Sequence, residues 1–198
     1  WQSREEIKDK NQEFEKNVTD ILFGLGEFAW VVPENKRIAR IGIIGKDNPK
    51  MKEEYEKLIK PYKVLENQSG PIPMYNPKQV MQRGNLALIG DAATQVKATT
   101  YGGIIYGMIS AMYIAERWDN YEKRFRAKLG KDLWISLKMR EVMNKMSEEE
   151  ASELVKIFEK KENKSILQES DRNFPTKFVV QLLMKEAKLW KYGFKLFK

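Results

Sequence analysis

Residues 86–118, LALIGDAATQVKATTYGGIIYGMISAMYIAERW, constrain the fold more than any other part of the chain. A short apolar run (85–89) is closed by Gly90-Asp91. It reads as a strand of the kind buried in α/β sheets, delivering Asp91 to its carboxyl end, where open sheets bind ligands. A ten-residue loop leads to Gly102-Gly103 and a helix over 102–118. Gly90 permits close approach to the backbone. The exposed N–H groups and dipole of the helix start favour an anion or an electron-rich carbonyl. Gly107, Ser110, Ala111 and Ala115 line the helix with small side chains that allow tight packing. A carboxylate that accepts hydrogen bonds from sugar-like hydroxyls, beside a helix start facing a flat anionic ring, suits a flavin nucleotide. A Gly-Asp pair alone is mostly turn chemistry; the complete arrangement is what carries the reading.

The rest of the chain fits around this unit. Residues 18–23 form a β-prone run closed by Gly24 and Gly26. Residues 27–32 and 37–45, joined by Pro33-Glu34-Asn35-Lys36, read as a β-hairpin. In the second run Ala39, Ile41 and Ile43 share one face, which places it inside a sheet. Asn48-Pro49 opens a helix with Tyr55, Leu58 and Ile59 on its apolar side. Residues 63–77 are extended and Pro-containing, which excludes a central strand position. From 119 onward the pattern is helical, interrupted at Gly130, with a capping box at Ser147–Glu150. Residues 1–17 are charged and aperiodic and read as a solvated strand, a helix or a frayed end. The fold class is therefore α+β. A β-rich substrate region covers 1–84, the strand–loop–helix unit 85–118 and a helical region 119–198.

Composition narrows the chemistry. The chain has 198 residues, no cysteine and no histidine. That excludes a disulfide scaffold, a thiolate nucleophile, the Ser-His-Asp triad and the usual zinc ligands. No residue stands out as a catalytic acid or base, and no metal set is expected. A cofactor must carry difficult chemistry if the chain serves an enzyme. No apolar run of 18 residues or signal-peptide pattern occurs, so a cytoplasmic protein is the expectation.

The net charge is +8, and residues 174–198 contribute six lysines against one acid, Glu186. The same span holds Phe174, Phe178, Trp190, Tyr192, Phe194 and Phe197. A core-packed terminal helix with a solvated lysine face is one reading. A peripheral contact with the inner face of the cell membrane is the other. Nucleic acid is not expected, because no RNA-binding motif accompanies the charge.

Residues 86–118 resemble the second flavin-binding motif of the FAD-dependent monooxygenase-like superfamily, and within it the archaeal geranylgeranyl reductases, which hydrogenate isoprenoid chains of membrane lipids. FAWVVP (28–33), SGPIPMY (69–75) and the helices of 121–150 are similar to further segments of that family. The resemblance implies an α/β FAD-binding fold of which this chain is the C-terminal part, since no GxGxxG occurs and residue 1 is Trp. It implies FAD as cofactor and an isoprenoid lipid as substrate; the electron donor is unknown. Gly90, Asp91, Val96, Gly102, Gly103 and Ile104 are the implied cofactor-binding residues. Asp91 is implied to bind the ribityl chain, and the helix start the N1–C2=O end of the reduced flavin. Phe28, Trp30 and Pro33 are the implied substrate-binding residues. Phe28 and Val32 replace the family's Tyr and Phe, Ala98 its Pro, and Tyr101 the first Gly of a triplet. A flavin monooxygenase or halogenase of the same fold is the alternative reaction. A non-enzymatic basic membrane- or RNA-binding helical module is the alternative class.

Overall fold

The structure is a computed structural model that describes residues 1–46 and 48–196, with residues 195 and 196 described by their backbone alone. It forms two compact units, residues 1–71 and 72–198.

The first unit is an antiparallel sheet backed by one helix. Its strands are β1 (Gln2–Ile7), β2 (Asp20–Leu22), β3 (Phe28–Pro33), β4 (Ile38–Ile44) and β5 (Tyr62–Gln68), in the order β2-β3-β4-β1-β5. The hairpin read from the sequence is β3–β4. Helix α1 (Pro49–Ile59) starts where Asn48 accepts a hydrogen bond from the Met51 amide at 2.9 Å. Ala29 and Ile43 pack with Met51 and Tyr55 of α1, beside a second cluster of Val31, Ala39 and Ile41. The Pro-flanked β5 takes an edge position, as expected of an extended segment followed by prolines.

Residues 2–7 resolve the alternatives left open at the start of the chain. They form a strand paired on both sides, with Ser3, Glu5 and Ile7 buried and Gln2, Arg4 and Glu6 on the open face. Arg37 gathers the following loop, donating to the carbonyls of Ile7, Asp9 and Gln12 at 2.6–2.9 Å.

The second unit is mainly helical. A two-residue hairpin, β6 (Gln82–Arg83) and β7 (Leu86–Ala87), precedes a tight helical turn at Gly90–Ala93. Then come α2 (Ile104–Glu116), α3 (Tyr121–Phe125), a wide turn at Arg126–Gly130 and α4 (Lys131–Met143). The remaining helices are α5 (Glu148–Glu159), α6 (Lys161–Glu169), α7 (Pro175–Lys185) and α8 (Trp190–Leu196). Tyr75, Met81, Ala93, Tyr106, Tyr121, Phe125, Leu129 and Leu133 form one core. Val142, Ile157, Phe178, Leu182, Leu189 and Tyr192 form another. Glu122 accepts from the amides of Met81 and Gln82 at 2.8 and 3.0 Å, which ties the hairpin to α3.

The apolar run at 85–89 is the main correction to the expected fold. Only Leu86 and Ala87 are strand, and Leu86, Leu88 and Ile89 are 77, 41 and 40% exposed. The run pairs with β6, a strand of just two residues, so among the described residues no sheet buries it.

Candidate functional site

Gly90 opens the turn with φ +59°, the left-handed region that favours glycine. Its neighbour is Gly107 of α2, where an added Cβ would lie 3.4 Å from the Gly90 Cα. Backbone therefore meets backbone here through Gly107, while of the other small residues read on the helix Ser110 is buried and Ala111 and Ala115 are exposed. Ser110, one turn further along α2, donates to the Gln95 side chain at 2.7 Å.

This close packing sets the Gly-Asp turn against the start of α2. The carboxylate of Asp91 lies beside Gly103, where a Cβ would meet Asp91 Oδ1 at 2.6 Å and the Val96 side chain at 3.3 Å. Gly103 is the N-cap of α2, and no side chain caps that helix start. Asp91 and Gly102 are exposed, and Ile104 is 80% exposed. Asp91, Val96 and Gly103 thus come together, with Gly90, Gly102 and Ile104 as their neighbours along the chain. Val96 is 0% exposed, so it underlies this spot as packing and neither its side chain nor its backbone is open at the surface.

The loop 94–103 is held from beneath by polar groups that the sequence reading did not single out. Gln95 is fully buried and uses its whole amide. Its oxygen accepts from the Gly90 amide and from Ser110, and its nitrogen donates to Tyr121 at 2.6 Å. Lys97, 4% exposed, donates to Asn173 Oδ1 at 3.1 Å and to the Arg172 carbonyl at 3.3 Å. Burial pulls the Lys97 pKa down, the Arg172 charge adds to this, and Asp171 opposes it. Tyr106 donates to the Asn173 carbonyl, and its hydroxyl pKa is pushed well up by burial and then by Asp132 and Asp171. Arg140 and Ser136 of α4 bind residues 98 and 99. A helical periodicity search scores apolar positions, so polar residues on the inward stripe of α4 leave no signal of that kind.

Phe28, Trp30 and Pro33 belong to the first unit and are not equivalent. Phe28 and Trp30 stand on the sheet face opposite α1, with ring centroids 5.9 Å apart. Trp30 lies flat across Gly42 of β4, where a Cβ would fall 2.2 Å from the ring, and donates to Gln2 Oε1 at 3.2 Å. Gly42 is what lets a broad indole rest on the sheet. Pro33 has the opposite strand parity and shares the face of Ala29 and Val31.

An open concavity of about 610 Å³ is lined by Glu116, Arg117, Asn120, Lys123, Arg124 and Ala127, at the far end of α2 from Gly103. Among the described residues no group of His, Cys, Asp and Glu could hold a metal ion, and no helix is long and apolar enough to cross a membrane. In the C-terminal span Phe178 and Tyr192 are buried, whereas Trp190 and Phe194 are 55 and 69% exposed. Phe197 and Lys198 lie outside the described residues.

A mixed α+β chain with an open carboxylate at a glycine-started helix is the class that fold and site define. Comparison with known proteins supports the resemblance to the archaeal geranylgeranyl reductase family. The chain is 34% identical over 119 residues to digeranylgeranylglycerophospholipid reductase 2 of Methanothermobacter thermautotrophicus, covering 53% of this chain and 31% of that protein. It is 25% identical over 206 residues to the digeranylgeranylglycerophospholipid reductase of Methanocaldococcus jannaschii, covering 90% of this chain and 50% of that protein. A third relative, reductase 1 of that name from Methanococcoides burtonii, is 28% identical over 65% of this chain and 37% of its own length. The chain thus spans half or less of the length of these relatives. No family model and no solved structure matches it.

Proposed function

We propose that the chain is part of an FAD-dependent reductase that saturates C=C bonds in isoprenoid, geranylgeranyl-type chains of archaeal membrane lipids. The observation that carries this reading is the exposed Asp91 carboxylate set against Gly103 at the uncapped start of α2. The names of the relatives supply the reaction class.

The donor set fits a flavin nucleotide. Asp91 offers acceptor oxygens to the hydroxyls of a ribityl chain. The first amides of α2, with the helix dipole behind them, face the electron-rich carbonyl edge of a ring. When bound, FAD supplies the hydride that an unactivated double bond requires. The protein then has alignment and exclusion of water as its main tasks, because an alkene offers no carbonyl to polarise. Phe28 and Trp30 give the open sheet face the flat apolar surface that an isoprenoid chain needs. Pro33, on the other parity, ends that strand.

Apolar surface flanks the proposed flavin site on both sides in sequence. Leu86, Leu88 and Ile89 precede it; Ile104, Ile105, Met108 and Met112 follow it, 43–80% exposed. Exposed large apolar side chains in this number suit an interface. We assign it to the remainder of a flavin-binding fold, in keeping with the greater length of the relatives. The C-terminal helices present Val180, Met184, Trp190 and Phe194, 49–80% exposed, among Lys185, Lys188 and Lys191. This combination suits a peripheral contact with anionic lipid on the cytoplasmic face, where an isoprenoid lipid substrate resides.

The test is product mass. The complete polypeptide, chemically reduced and given a digeranylgeranylglycerophospholipid, is expected to add two hydrogens per double bond. Incorporation of oxygen instead would assign the chain to a flavin monooxygenase. Liposome or RNA binding by a flavin-free, inactive polypeptide would assign it to a binding module.

A further inference from the structure

Helix α4 uses three positions of its buried face, each four residues apart, for polar side chains. Asp132, Ser136 and Arg140 are 9, 0 and 2% exposed. Polar groups taken out of water must be paired, and these are. Asp132 accepts from the Thr176 amide and hydroxyl at 2.9 and 2.6 Å, serving the start of α7. The other two serve the loop 94–103. Ser136 accepts from the Thr99 amide at 3.1 Å. Arg140 spreads its guanidinium over two successive carbonyls, Ala98 at 3.0 Å and Thr99 at 2.5 Å.

Two residues further on stands Tyr101, with φ +55°. A bulky side chain rarely adopts this left-handed backbone, so surrounding contacts must hold it there. The Tyr101 amide donates to the Lys97 carbonyl at 2.7 Å, and the Arg140 guanidinium carbon lies 5.4 Å from the centre of the Tyr101 ring. Arg140 therefore touches residues 98, 99 and 101 at once. From the other side Lys97 is anchored to residues 172 and 173. The segment between these two anchors leads directly to Gly102 and Gly103.

We propose that Arg140 is the positioning residue of this loop: its fork over the Ala98 and Thr99 carbonyls, with its cation above the Tyr101 ring, sets the path that presents Gly102 and Gly103 beside Asp91. Arg140 acts through the loop and not by touching a ligand. The proposal rests on the reading of this turn as the flavin site. A lysine keeps the charge but loses the planar fork, so it does not replace Arg140.

The experiment uses the complete polypeptide with Arg140→Lys and Arg140→Met. It reads amide hydrogen exchange by segment and the affinity for added FAD. Loss of hydrogen bonds to a charged donor predicts roughly tenfold or greater acceleration of exchange within residues 96–103 in both variants, and FAD binding weakened by a similar factor. Exchange in the sheet of the first unit is expected to stay unchanged. Wild-type protection of 96–103 in both variants would overturn the proposal, as would full protection in Arg140→Lys alone, since charge would then suffice. If Arg140→Met unfolds the second unit, the Lys variant decides by the same criterion. A wild-type polypeptide that binds no FAD would overturn the flavin reading, while the exchange measurement would still decide the role of Arg140.

Discussion

At the residue scale, Glu5 departs furthest from what its chemistry favours. It is 0% exposed, and among the described residues neither carboxylate oxygen meets a hydrogen-bond partner. Burial pushes its pKa up; the nearby Ser3 hydroxyl and the Lys8 charge pull the other way. Ser3 itself accepts from Tyr55 of α1 at 2.6 Å, and burial raises the pKa of Tyr55 and of Tyr62 on β5, with the Glu5 charge adding to it. The folded state therefore holds a proton on Glu5 over a range where the unfolded chain has lost it. Stability linked to this group is complete below the ordinary glutamate pKa. It declines as pH rises through that value toward the raised one, and is level above it. Thermal unfolding of Glu5→Gln across this range is expected to lack that decline and to show greater stability than wild type at neutral pH. An identical pH slope in the variant would contradict the account.

The elements differ in how openly the sequence declares them. The capping box of α5 is a local signal and is realised as read, with Ser147 accepting from the Glu150 amide at 3.2 Å and Glu150 accepting in return at 3.3 Å. Ser147→Ala is expected to cost about 1 kcal/mol, measured by urea unfolding. The β3–β4 hairpin and α1 were equally legible, because apolar alternation and an Asn-Pro start are short-range features. Strand β1 was not. Its inward positions are Ser3, Glu5 and Ile7, so the two-residue period exists in the structure without an apolar trace in the sequence. The run at 85–89 failed in the opposite direction: its composition says buried strand, but burial depends on neighbouring strands that composition does not supply. Within the candidate site, Gly90 and Gly103 were legible because a left-handed backbone and a close approach demand glycine there. Gln95, Lys97, Ser136 and Arg140 were not, because buried polar networks are made by tertiary contacts between distant residues.

For the molecule as a whole, the absence of histidine and cysteine and the exposed apolar flanks of the Gly-Asp turn point the same way. Under the proposed function this chain would contribute surfaces and positioning, with the reactive chemistry brought by a bound group. The +8 charge is not spread evenly either; its basic, aromatic C-terminal helices pack Phe178 and Tyr192 into a core while Trp190 and Phe194 remain outside. That division lets one pair of helices stabilise the unit and still leave a basic, aromatic surface exposed. The central claim is the proposal that Asp91, beside the start of α2, holds the flavin. Its most direct test is the ratio of bound flavin to protein after purification of the complete polypeptide, wild type against Asp91→Ala. The account predicts a yellow wild-type protein near one flavin per chain and a variant whose FAD affinity is weaker by roughly tenfold or more, leaving it largely colourless at the same protein concentration. Equal flavin content in the two proteins would contradict it.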